Sequence, residues 1–265
     1  MVTTGISTAS LFGRFHTEDA LKELNSAGVT TAEVFLESYC EYNKKFGKIL
    51  KKCKGKLDVR SVHTLTTQFE PQLYSTNERA QNDSFDLLNN TMQAALEVGA
   101  RFYTFHGQAV FKKVNGPFDI DRHAEITQKI IDLCGKYDVC LAYENVQWSR
   151  YNYVGFFNEI RKRTKGLKGT LDIKQARRAD LSCVDLINEM GSDIVTVHLS
   201  DINENGKMCL PGKGVTDFTD LFYRLKDVGF DGAILIEAYQ SDFDTMNDLY
   251  NSLDFITELK DKIFK

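Results

Sequence analysis

Short apolar runs of β type alternate along the chain with stretches of helical period, and most of the apolar runs stop on an acidic residue or a histidine. AEVFLE closes on Glu37, DVRSVH on His63, FYTFH on His106, CLAYE on Glu144, IVTVH on His198 and AILIE on Glu237, while GTLD presents Asp172. The alternation predicts strands over Thr3–Ser7, Thr31–Leu36, Leu57–His63, Arg101–His106, Val139–Asn145, Gly169–Ile173, Ile194–Leu199 and Ala233–Glu237. Helices are expected near Thr17–Ala27, Tyr39–Lys54, Asn77–Val98, Arg122–Tyr137, Gly155–Arg163, Cys183–Met190, Phe218–Val228 and Phe243–Ile263. Thr17 is the expected N-cap of the first helix, and Gly28 and Gly99 are the expected stops of the first and third. Leu65–Ser75 and the stretch around Gly116-Pro117 read as loops.

Strand–helix units in strict alternation imply a parallel sheet. Eight such units in 265 residues suit a (β/α)8 TIM barrel of roughly 250 residues, in a single domain spanning 1–265. An open doubly wound sheet would gather its polar strand ends near one switch point, whereas here nearly every strand has one. A closed barrel brings those ends into one cup.

Composition narrows the partner. A formal net charge of −4 gives no general attraction to nucleic acid or an anionic membrane, so a small molecule is the expected partner. The lysines from Lys44 to Lys56 read as the solvated face of a surface helix. No apolar run approaches the ~20 residues that span a bilayer, and the first 20 residues lack the pattern of a secretory signal, so the cytoplasm is the expected location. The six cysteines form no CxxC pair and are expected to be reduced. A homo-oligomer is compatible with all of this.

Glu144, Asp172, His198 and Glu237 would converge at the C-terminal mouth of such a barrel. Three carboxylates that close together repel, and a divalent cation relieves them. Three oxygens and one imidazole suit Mn, Zn, Co or Mg, and the donor set does not choose among them. His63 and His106 are expected to contact substrate, or to build a second metal site with Glu144; a neutral histidine at the core edge is the alternative for each. Glu37 is a weaker member, which a salt bridge across the mouth would also explain. The segment Leu210-Pro-Gly-Lys-Gly-Val-Thr-Asp-Phe218 places Lys213 where barrels often bind an anion, although a turn capped by Thr216 or Asp217 accounts for it equally.

In order and spacing, SVHTL, FHG, AYEN, LDIKQ, VHLSD, PGKG and LIEAY resemble the xylose isomerase-like barrel superfamily, whose members include sugar isomerases and epimerases, inosose-processing enzymes and zinc-dependent AP endonucleases. The resemblance implies that Glu144, Asp172, His198 and Glu237 hold the shared metal, that His63 and His106 line the pocket, and that the two glutamates act as acid and base. Three residues after the strand-six aspartate, where both the epimerases and the nucleases commonly carry histidine, stands Gln175, which can still hydrogen-bond a hydroxyl. The Asp-x-His pair of the nucleases has no counterpart in Asp201–Gly214. The expected activity is therefore metal-dependent isomerisation or epimerisation of a sugar, sugar phosphate or polyol through an enediolate, with Glu144 and Glu237 moving the proton. The rivals are dehydration of an inosose-like substrate, phosphodiester cleavage in the manner of an AP endonuclease, and a metal-binding barrel without activity.

Overall fold

The computed structural model describes residues 1–65, 69–110 and 118–265. Eight parallel strands close into a barrel: β1 (Thr3–Ser7), β2 (Thr31–Leu36), β3 (Asp58–Thr64), β4 (Phe102–Phe105), β5 (Cys140–Glu144), β6 (Lys168–Asp172), β7 (Ile194–Leu199) and, last in the chain, β10 (Ala233–Ile236). Each strand pairs with its neighbours in sequence, and β10 pairs with β1 to close the ring. The (β/α)8 expectation is borne out. Helices separate the strands: α1 (Thr17–Ser26), α2 (Lys44–Cys53), α3 (Glu78–Val98), α4 (Ile120–Gly135), α5 (Phe156–Arg161), α6 (Ile173–Arg178), α7 (Cys183–Met190), α8 (Phe218–Asp227) and α9 (Met246–Ile263). Two short strands, β8 (Asp201–Ile202) and β9 (Met208–Cys209), form an antiparallel hairpin after β7.

The helices lie outside the ring and bury apolar faces against it, through residues such as Leu21, Leu50, Leu88, Ile130, Phe157, Ile187, Phe222 and Leu249. Most starts are capped by the side chain one residue upstream: Asn43 accepts from Phe46 N (3.0 Å), Asn77 from Arg79 N (3.1 Å) and Asp217 from Asp220 N (3.0 Å). α1 departs from the sequence reading. Its N-cap is His16, without a side-chain cap, because the Thr17 hydroxyl is drawn inward to Phe35 O (3.1 Å). α2 begins at Lys44, later than expected, since Asn43 takes the capping position. Within the expected loop Leu65–Ser75, a 3-10 turn spans Glu70–Tyr74, with proline in its first turn. Residues 66–68, and the loop expected around Gly116-Pro117, fall outside the described residues.

The barrel interior differs from the branched apolar filling usual in this architecture. Side chains alternate along a strand, so the residue two positions before each inward strand-end group also faces inward. Those positions carry Ser61, Thr104, Thr170 and Thr196 beside the apolar Ala142 and Leu235, and with Ser7 and Glu33 the hydroxyl residues form a fully buried, largely polar belt just beneath the mouth. Behind the wall, His123 on α4 stacks on Tyr74 (centroids 4.1 Å apart, planes within 8°), and its Nε2 meets Tyr143 Oη at 3.2 Å. All six cysteines are free thiols.

Candidate metal centre

The strand ends bring Glu144, Asp172, His198 and Glu237 together. His198, fully buried on β7, turns Nδ1 toward Glu237 Oε2 (3.1 Å) and Glu144 Oε1 (3.3 Å). Its other nitrogen lies 3.0 Å from Glu33 Oε1 in the belt below. Glu144, Asp172 and His198 offer donor atoms all within 4.8 Å of one another, as do Glu33, His198 and Glu237. The two triples share His198, and hydrogen bonding separates Glu33 from the rest. Glu33 already accepts hydrogen bonds from Ser61 Oγ (2.7 Å), Thr104 Oγ1 (2.7 Å) and Ser7 Oγ (3.1 Å). That satisfies Glu33 as a carboxylate supporting the far side of a ligating histidine. The upper oxygens are less well served: Glu144 Oε2, Asp172 Oδ2 and Glu237 Oε2 are buried and make no well-formed hydrogen bond, their nearest cationic partners being the ion-pair contacts to His106 Nε2 (3.1 Å), Lys174 Nζ (3.9 Å) and His198 Nδ1 (3.1 Å).

Asp172 is held rigidly. Its backbone N–H donates to Asn145 Oδ1 (2.9 Å), its carbonyl accepts from Asn145 Nδ2 (2.8 Å), and its Oδ1 caps α6 by accepting from Gln175 N (2.7 Å). Only Oδ2 remains for the site. Burial first, and then the nearby Glu144 and Glu237 charges, push its pKa up to about 7, against the pull of Lys174. A carboxyl that keeps a proton near neutrality, beside two buried carboxylates, marks a place short of positive charge. The donor set therefore fits a divalent cation.

Positive side chains already offset part of the excess. Burial alone would lower the His106 pKa, but Glu144 and Glu70 overcome it and raise the value to about 10. His106 Nε2 lies 3.1 Å from Glu144 Oε2, and Nδ1 lies 3.4 Å from Glu70 Oε2. Burial opposes charge on His198 as well, yet Glu237 and Glu33 hold its pKa well above the usual imidazole range. The same ion pairs, working against burial, lower Glu33 through His198 and His63, and Glu144 through His106 and His198. His63 Nδ1 sits 3.3 Å from Glu33 Oε1 and 3.9 Å from Glu237 Oε2, with its ring edge-on to His106 at 5.1 Å. Both histidines thus lie among the strand-end groups, each against carboxylates. Neither belongs to the triples whose donors close within 4.8 Å among the described residues, so the second metal site expected with Glu144 has no such cluster there.

Other expected members lie at the rim. Glu37 is half-buried beside Glu41, whose carboxylate accepts the Glu37 backbone N–H (2.6 Å); burial and then Glu41 raise its pKa. The Gln175 side-chain oxygen accepts from Gln147 N (3.3 Å), tying α6 to the loop after β5. Lys213 is exposed and borders a cavity of about 260 Å³ with Asn203, Glu204 and Asn205. Asp201 organises that loop: its carboxylate accepts from the N–H groups of Ile202, Gly212, Gly214 and Thr216, at 2.8–3.1 Å.

Three participants were missed by the sequence reading. Glu33 stands in mid-strand, and its signal was parity, because it shares its face with Glu37. Glu70, fully buried, accepts from Tyr103 Oη (2.5 Å) and from the N–H groups of His106 (3.0 Å) and Gly107 (3.3 Å). It comes from a loop, where no periodicity points inward. Lys174 follows Asp172 by two residues and is buried in the centre.

A model of the xylose isomerase-like TIM barrel family matches residues 21–259, and the chain belongs to that family. An uncharacterized protein of Methanocaldococcus jannaschii is 24% identical over 220 residues, which cover 77% of this chain and 73% of that one. A solved D-tagatose 3-epimerase-like protein superposes with a TM-score of 0.81 at 19% identity, covering 98% of each chain. The IOLI protein, solved with a binding zinc atom, superposes at 0.78 and 13% identity, covering 98% of this chain and 97% of its own. Among the described residues no helix is long and apolar enough to cross a membrane.

Proposed function

We propose that the protein is a metal-dependent isomerase or epimerase of a small sugar, sugar phosphate or polyol, with Glu144, Asp172, His198 and Glu237 as the ligands of one divalent ion. The observation that carries this reading is the gathering of buried carboxylate oxygens of Glu144, Asp172 and Glu237 around His198, oxygens that make no well-formed hydrogen bond, while the opposite nitrogen of His198 faces an already satisfied Glu33. When bound, the ion would supply Lewis acidity toward adjacent oxygens of the substrate.

The chain's own groups do the rest. Glu144 and Glu237 come from β5 and β10, with β6 and β7 between them in the ring, and both reach His198 Nδ1. Two carboxylates arriving from separate strands would face a carbon between them from different sides. One would take the hydrogen next to the carbonyl and the other would return a proton, through an enediolate. His63 and His106, anchored on Glu33 and Glu70, would orient hydroxyl groups in the same cup. Likeness to a D-tagatose 3-epimerase-like protein supports a carbohydrate of this kind. The nuclease alternative is not better supported, since the Asp-x-His pair of the nucleases has no counterpart in Asp201–Gly214.

The test is metal analysis followed by a ketose panel in heavy water. About one divalent ion per chain and deuterium at the carbon next to the carbonyl are expected. Turnover without exchange of that hydrogen sinks the proton-transfer scheme, and efficient metal-dependent nicking of abasic-site DNA sinks the choice of substrate.

A further inference from the structure

Lys174 breaks two local rules. It is 2% exposed, although lysine is rarely buried without a purpose. It also sits in the first turn of α6, where the helix dipole disfavours a cation. Its position explains both. The ammonium lies 3.5 Å from Glu237 Oε1, 3.5 Å from Glu237 O and 3.9 Å from Asp172 Oδ2, and 4.5 Å from the centre of the Tyr239 ring. Arg178 braces that ring by donating to Tyr239 Oη (2.8 Å). The lysine is thereby walled into the centre, where its ammonium reaches both Asp172 and Glu237.

We propose that Lys174 is a resident cation of the metal centre: it holds Asp172 and Glu237 together before a divalent ion arrives, and it weakens the hold on that ion once it has. This rests on the metal reading of the same cluster. The argument is one of fixed charge. A buried carboxylate pair that loses its neutralising partner is strongly destabilised. A dication gathered by the same oxygens has a like charge a few ångströms away, in surroundings where that repulsion is poorly screened. Such a centre exists as a folded protein without its ion and exchanges the ion readily.

Lys174→Met removes the charge and keeps most of the volume, Lys174→Gln keeps hydrogen-bonding capacity, and Lys174→Arg keeps the charge. With metal-stripped protein, melting temperature and Mn²⁺ titration calorimetry are the readouts. The Met and Gln variants are expected to melt lower than wild type without metal, to bind Mn²⁺ at least about tenfold more tightly, and to gain more in melting temperature on its addition. Lys174→Arg is expected to stay near wild type in affinity. If the neutral variants fold only when produced with Mn²⁺ present, the neutralising role is upheld, since an added cation then replaces the lost one. Neutral variants that melt like wild type and bind Mn²⁺ no more tightly overturn the proposal. If the wild type binds no divalent ion at all, the metal reading fails instead, and the metal-free melting comparison still judges whether Lys174 neutralises the pair.

Discussion

Replacing His123 with phenylalanine isolates the cost of one buried imidazole on the helix side of the barrel wall. The ring is enclosed by Tyr74, Phe118 and Phe156, and burial, with a smaller push from Arg150, lowers its pKa from 6.5 to about 3. Because the folded value is depressed, the unfolded chain takes up a proton below pH 6.5 that the folded protein refuses until about pH 3. Wild-type stability therefore falls with pH through that window, by up to ~1.4 kcal/mol per pH unit from this group. The phenylalanine variant escapes the penalty but loses the contact with Tyr143 Oη, worth about 1 kcal/mol. At pH 7.5 the variant should be less stable by about that amount. At pH 4.5, roughly two units below the unfolded value, it should be the more stable by about 1.5 kcal/mol, with the curves crossing between pH 5 and 6 as an order-of-magnitude placement. Urea unfolding of both proteins at pH 7.5, 5.5 and 4.5 measures this, and other titrating groups cancel in the difference. A stability difference that does not change between pH 7.5 and 4.5 would refute the assignment of His123 as a buried neutral imidazole.

Asp172→Ala should abolish the rise in melting temperature given by Mn²⁺, while Asp172→Asn keeps the α6 cap and so melts about 1 kcal/mol more stably without metal; equal responses of wild type and both variants to Mn²⁺ would remove Asp172 from the ligand set. Glu237→Gln should cut turnover by at least ~10²-fold with substrate still bound, read from initial rates and binding on the same substrate, and an unchanged rate would exclude it as acid or base. Glu33→Gln should weaken Mn²⁺ binding by roughly 10–100-fold in calorimetry, although Glu33 is not itself assigned as a ligand, because it supports His198 from behind; unaltered affinity would show that support to be dispensable.

The strand-end residues were legible because each closes an apolar run with a group that has no reason to be there unless the ends share a cup. The barrel followed from the same alternation. Glu33 was not legible by that rule, since the eye stops at Glu37, two inward positions later beyond Phe35, where the structure places a rim residue beside Glu41. Glu70 reaches the centre through loop geometry, and loops carry no period. α6 escaped because six residues starting directly after the strand's last position are too few to show a helical repeat, and the cap that starts the helix is the candidate ligand itself. Thr17 was misjudged for a tertiary reason: a threonine before a helical run caps by default, but here the hydroxyl finds Phe35 O on the neighbouring strand.

The double duty of Asp172 joins the chemistry of the cup to the mechanics of the wall. One oxygen fastens the first turn of α6 and the other faces the centre, with no linker between strand and helix to absorb a change. The second oxygen is thus rigidly joined through the first to the Gln175 amide. Gln175 in turn grips the loop after β5 through Gln147, so the lip of the cup is strung to its floor by a tendon two hydrogen bonds long. Loading the floor would set the tension at the lip, where a substrate has to enter.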